Sequence, residues 1–137
     1  MIHRLKKILT PAPHKHKRNR GQFLALWAKS PMRIGGIFPS SRSLARAMAA
    51  EVDLRDEGMI IELGAGTGMV THALIQAGVP PERLLVIERE KPLIKILHTQ
   101  FPTLSIHQAD ALHLDRFLLE QGVTKVNCIV SSLPLLT

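Results

Sequence analysis

Gly64, Gly66 and Gly68 stand at alternate positions, and an acid, Glu62, precedes them by two residues. Glycines spaced this way let a backbone turn tightly and approach a ligand with no Cβ in between. A dinucleotide loop needs its third glycine at position 69, which here is Met69, so the pattern departs from pyrophosphate binding. An acid beside the loop favours a ligand carrying positive charge. Glu88 lies 20 residues beyond Gly68, the spacing of an acid that takes ribose hydroxyls. Asp110 precedes a helical stretch, which also suits it to cap that helix. No general base stands out, because His72, His98, His107 and His113 fall at unrelated positions. His14 and His16 form a pair with no third ligand nearby, so no metal site is expected.

These residues need elements to position them. Met59–Leu63 is a short apolar, β-branched run that leads straight into the glycines. Met69, Val70, Ala73, Leu74 and Ala77 follow at helical spacing and stop at Gly78. Strand, glycine loop and helix make the first unit of a doubly wound α/β sheet. Leu84–Ile87 predicts a second strand ending at Glu88, and Leu93, Ile94, Ile96 and Leu97 a helix closed by Phe101-Pro102. Leu104–His107 predicts a third strand, Leu112–Leu119 a helix up to Gly122, and Val126–Val130 a fourth strand. Cys128 in that last strand is expected to be a core residue rather than a nucleophile. Ser40 and Ser41 are suited to N-cap a helix over Leu44–Ala50.

The chain of 137 residues is enough for one domain, and its single cysteine excludes a disulfide scaffold. No apolar run reaches the roughly 18 residues of a spanning helix. Pro11 and Pro13 interrupt the place where a signal peptide keeps its apolar stretch, so a reducing, cytoplasmic setting is expected. The net charge of +7 is unevenly spread. Residues 1–50 hold 11 Lys and Arg and no acid, whereas residues 51–137 hold 7 basic and 11 acidic side chains, a net −4. Residues 1–30 therefore form a basic arm and residues 31–137 a domain. Ile2, Leu5, Ile8 and Leu9 sit at helical spacing among Arg4, Lys6 and Lys7, and Phe23, Leu24, Leu26 and Trp27 resume that spacing. Such an arm suits an anionic membrane surface, where each Lys or Arg contributes about 1 kcal/mol. RNA is the less favoured polyanion, and a plain solvated tail is the remaining reading.

Glu62-Leu63-Gly64-Ala65-Gly66-Thr67-Gly68 resembles motif I of the class I methyltransferases that use S-adenosylmethionine (SAM). More specifically, Pro31–Arg42 with Leu44-Ala45, Ile61–Gly68, Val86-Ile87-Glu88 and Val130–Leu135 resemble bacterial phospholipid N-methyltransferases. The resemblance runs from about Trp27 onward. It implies a Rossmann-like parallel sheet and methylation of the phosphatidylethanolamine amine by a peripheral protein on the inner face of the membrane. It further implies that Gly64, Ala65, Gly66 and Gly68 cradle SAM, with Glu62 at its methionine end. Glu88 would then take the ribose, and Asp110 with Ala111 the adenine. By the same likeness the segment of Ser40 and Ser41 borders the substrate, with Arg42 either a contact to the lipid phosphate or a solvated arginine, and the loop Ser131, Ser132, Leu133, Pro134 faces the transferred methyl group. The ribosomal RNA adenine dimethyltransferases share motif I, but their last loop carries an amide and a stacking aromatic. Ser132, Leu133, Pro134 and Leu135 offer neither, which argues against a nucleobase substrate. A non-enzymatic membrane- or RNA-binding fragment is the alternative of another class.

That fold has seven strands, and four are predicted here, in spatial order 3-2-1-4. Strand four is therefore expected as an exposed edge, a route to self-association or aggregation. The chain is expected to be a shortened form of a protein of roughly 190–200 residues. It would keep part of the SAM site without turnover.

Overall fold

The computed structural model describes Ile8–Leu9 and residues 41–133. Five parallel strands form one sheet in the order β1-β5-β2-β3-β4. They are β1 (Ile8–Leu9), β2 (Met59–Leu63), β3 (Leu84–Glu88), β4 (Ser105–Gln108) and β5 (Val126–Ser131). Among the described residues four α-helices accompany them: α1 (Ser41–Ala50), α2 (Met69–Gln76), α3 (Lys91–Gln100) and α4 (Leu114–Glu120). Numbered as the sequence predicted them, the last four strands stand in the order 3-2-1-4. This is the Rossmann-like arrangement, in which the chain winds outward from β2 in one direction and returns to its other side at β5.

The strands are apolar on both faces because helices cover both. Ile60, Val86, Cys128 and Val130 pack toward α1, α2 and α3, against Ala45, Met48, Ala73, Leu74 and Leu97. Ile61, Leu63, Leu85, Ile87 and Ile129 face the other way, against Leu114 and Leu118 of α4. The period-2 alternation along each strand thus sorts one sequence into two cores. Among the described helices, none is long and apolar enough to cross a membrane.

Two predicted features differ. Ile8 and Leu9, placed by their spacing in an amphipathic helix, instead pair in parallel with Ile129 and Val130. Two turns are too short for a stable helix in water, and Pro11 stops any continuation. The edge of β5 provides backbone partners that an isolated helix lacks. That edge is accordingly occupied at Ile129 and Val130 rather than left open as a route to self-association. The rest of the basic arm, including the helix predicted around Trp27, lies outside the described residues.

The link between α1 and β2 is pinned from below the sheet. The Arg83 guanidinium donates to the carbonyls of Leu54, Asp56 and Gly58 at 2.6–3.2 Å. Buried Asn127 donates from Nδ2 to the carbonyls of Asp53 (2.8 Å) and Asp56 (2.5 Å). These contacts satisfy loop carbonyls that would otherwise face the sheet end unpaired. Arg83→Ala is expected to lower unfolding stability by about 2 kcal/mol, the cost of losing charge-assisted bonds to neutral carbonyls. Urea denaturation checks this, and an unchanged midpoint would show that the loop is held elsewhere.

Candidate functional site

The carboxyl ends of β2, β3, β4 and β5 lie side by side, since Leu63 pairs with Ile87 and Ser131, and Glu88 with Gln108. The crevice beyond those ends, where the winding direction reverses, is where open α/β sheets bind ligands. The loop after β2 carries the three glycines. Gly66 has φ +58 and Gly68 φ +94, left-handed values that other residues adopt only under strain. They serve different purposes. A Cβ on Gly68 would stand 2.7 Å from the Phe101 ring and 3.2 Å from Leu97, so this glycine lets α3 pack against the loop. A Cβ on Gly66 would meet nothing within 4 Å, so this position borders open space. Gly64 lies beneath Leu133, whose Cδ2 would be 2.5 Å from an added Cβ.

Glu88 closes the loop from the neighbouring strand. Its Oε2 accepts from the Gly66 N–H at 2.8 Å, and its Oε1 accepts from the N–H groups of Arg89 (2.9 Å) and Glu90 (3.2 Å). A carboxylate has about four lone-pair sites, so one is left for a ligand. The sequence placed Glu88 at the end of its strand, and it lies there, touching the loop directly.

Glu62 is wholly buried beneath the same loop. Its Oε2 accepts from the Thr71 hydroxyl of α2 at 2.6 Å, and its Oε1 has no partner. Burial raises its pKa from an ordinary 4.5 to about 7. The Thr71 bond opposes this rise, and the negative charge of Glu88 adds to it. The Ser132 hydroxyl is also buried and unpartnered. Glu62 opposes Val130 across the β2–β5 ladder, which puts Ser132 diagonally across on the same face. Two orphaned polar atoms at the ends of adjacent strands mark a place that a polar ligand group would satisfy.

The other predicted residues fall around this centre. Ala65 is buried in the loop, and its carbonyl accepts from the Gly68 N–H at 2.9 Å. Asp110 Oδ1 accepts from the Leu112 N–H at 2.9 Å, capping the 3-10 turn that begins at Ala111. Ser131 accepts from the Leu133 N–H at 3.2 Å, and Leu133 is part-exposed. Ser41 opens α1, and exposed Arg42 follows it. Ser40 and Pro134 lie outside the described residues. Thr71 escaped the sequence reading, although it falls three residues before Leu74 on the buried stripe of α2, where a hydroxyl needs a partner. Ser132 stands in the loop that the sequence places after the fourth strand, and nothing in the sequence shows that its hydroxyl is buried. Among the described residues, no three His, Cys, Asp or Glu side chains gather as metal ligands.

No protein-family model matches the chain. It is 28% identical over 115 residues to the ornithine lipid N-methyltransferase of Singulisphaera acidiphila, covering 82% of this chain and 60% of that protein. It is 34% identical over 86 residues to ribosomal RNA small subunit methyltransferase A of Pseudomonas syringae pv. syringae, covering 61% of this chain and 31% of the relative. The enzyme of that name from Thermotoga neapolitana is 29% identical over 101 residues, covering 74% and 36%. Among solved structures, Streptomyces venezuelae DesVI aligns at TM-score 0.44 and 14% identity, over 63% of this chain and 36% of that one. The chain thus spans less than two thirds of the length of each relative. All three curated relatives are named methyltransferases, one of a lipid and two of ribosomal RNA.

Proposed function

We propose that this chain is the cofactor-binding half of a SAM-dependent N-methyltransferase whose substrate is the amine of a lipid headgroup, phosphatidylethanolamine in the first instance. The observation that carries the reading is the pairing of an open glycine position with an acid on the next strand: Gly66, with nothing within 4 Å of its absent Cβ, and Glu88 holding its N–H. The residues present fit the cofactor. Gly66 leaves room for it in a turn that Gly64 and Gly68 shape, Glu88 keeps a lone pair for a ribose hydroxyl, and the orphaned Glu62 Oε1 suits its positive charge. When bound, SAM supplies a methyl group on a sulfonium, open to in-line attack by a neutral amine. The protein's own contribution is position and dryness. Leu133 over Gly64 shields the loop on the β5 side, and Asp110 and Ala111 border the β4 side. Membrane docking through the basic arm, on the cytoplasmic face, completes the proposal.

The RNA reading is favoured by the number of ribosomal RNA relatives among the matches, but the sequence after β5 has Ser132 and Leu135 where a flipped base needs an amide and a ring. Methyl-labelled SAM, vesicles of phosphatidylethanolamine with anionic lipid, and total RNA in one reaction separate the two. Any label transferred is expected in the organic extract, label in the RNA would sink the lipid reading, and label in neither is the outcome expected of a cofactor-binding half without turnover.

Cofactor binding tests the cradle itself. Gly66→Ala is expected to cost the fold only about 1 kcal/mol, for its left-handed φ, yet to abolish SAM binding in calorimetry. Gly68→Ala is expected to lower the melting temperature further, because its Cβ collides with Phe101. Equal SAM affinity in wild type and Gly66→Ala would remove the cradle from the site.

Glu62 makes a separate prediction. Its folded pKa lies above its unfolded one, so the folded state holds the extra proton. Its contribution to stability is complete below pH 4.5 and is lost as pH rises through about 7. Glu62→Gln keeps an acceptor for Thr71 without the charge, so the variant is expected to be roughly 3 kcal/mol more stable than wild type at pH 8. The two should converge near pH 4.5, and parallel stability–pH curves would refute the buried, proton-holding carboxyl.

A further inference from the structure

A cleft of about 960 Å³ lies between α1 and α2 and reaches the end of α3. It shares Thr67 and Gly68 with the glycine loop and Met69 with the start of α2, so it adjoins the cofactor site. Its floor is apolar, with Ala45 and Ala73 buried and Phe101 half-buried. Its rim carries Arg42 and Arg46, spaced i and i+4 on one face of α1, and His72 across from them on α2. No acid lines it, and neither arginine is in an ion pair among the described residues. The cleft at the amino ends of the strands differs in just this respect. There Arg83 is engaged by three loop carbonyls, and Lys125 pairs with Glu57 at 3.3 Å.

We propose that the cleft between α1 and α2 is the substrate's anion subsite, in which Arg42 and Arg46 hold the phosphate or carboxylate of the amine-bearing lipid headgroup. This rests on the methyl-transfer reading above. The chemistry matches a headgroup because amine and anion are a few bonds apart in such a molecule. An anion fixed on the α1 rim keeps the amine beside the loop where the methyl group is presented. Arginine suits the task, since its planar fork meets a phosphate or carboxylate with two parallel bonds and keeps its charge at any physiological pH. The apolar floor suits the glycerol and upper acyl carbons. Nucleic acid fits less well, because two rim arginines neutralise few phosphates, and the floor offers one half-buried ring rather than a stacking platform.

The test reads binding without turnover. Titrations of the chain with glycerophosphoethanolamine, ethanolamine and inorganic phosphate, followed by NMR, compare wild type with Arg42→Gln/Arg46→Gln. SAM affinity and melting temperature are measured alongside. Glycerophosphoethanolamine is expected to bind the double variant roughly tenfold more weakly, with SAM affinity and melting temperature unchanged. Ethanolamine, lacking the anion, should bind both proteins equally. Unchanged glycerophosphoethanolamine affinity would overturn the subsite. A parallel loss of SAM affinity would also overturn it, by assigning the arginines to the cofactor's carboxylate. Inorganic phosphate binding as tightly as the headgroup would make this a general phosphate site and reject the headgroup assignment. A short RNA hairpin that loses affinity in the variant while glycerophosphoethanolamine does not would give the groove to nucleic acid. Because none of these titrations requires methyl transfer, failure of the enzyme reading, seen as labelled RNA in the partition experiment, is told apart from failure of the subsite.

Discussion

A carboxyl group buried under a turn is the constraint around which this structure is arranged. Glu62 is the penultimate residue of a strand whose other residues are apolar, and it has no access to water. A group of that kind must be neutralised or bonded. The Thr71 hydroxyl supplies the bond at 2.6 Å, and in doing so it ties the first turn of α2 to the end of β2. The glycine loop between them spans a fixed gap. Glu88 then holds the middle of that loop from the adjacent strand. Two buried acids, one on each of two adjacent strands, thus set the shape of five residues.

This arrangement explains why the three glycines are not equivalent. Gly68 is a packing residue, because α3 approaches so closely that a methyl group has no room. Gly64 is covered by Leu133, which couples the loop to the segment after β5. Gly66 alone faces open space. A motif that looks like one signal in sequence therefore divides into two packing duties and one position left open.

Much of this was legible beforehand. The alternation of Ile60, Ile61, Glu62 and Leu63, the glycine spacing and the acid at Glu88 predicted the sheet, its order and the position of the loop, because these are local patterns with a local cause. What escaped was non-local. Nothing near Glu62 in sequence announces Thr71 as its partner nine residues on. Arg46 resembles any solvated arginine until α1 is laid beside α2. The two-residue strand at Ile8 carries helical spacing, and only the vacant edge of β5 makes it extended. Periodicity reports what a segment prefers alone, and tertiary pairing overrides it where the segment is short.

The pairing of Ile8 with Ile129 has a kinetic consequence. These residues lie about 120 positions apart, whereas β2 meets β3 across a single helix. Closing a chain of that length costs entropy before any contact repays it. The sheet can therefore assemble outward from β2 toward β4 as the chain emerges from a ribosome, while β1 must wait for β5, which is made more than a hundred residues later. Until β1 docks, Ile129 and Val130 lack the partners it gives them, and for this pair of strands the order of synthesis runs against the order of closure.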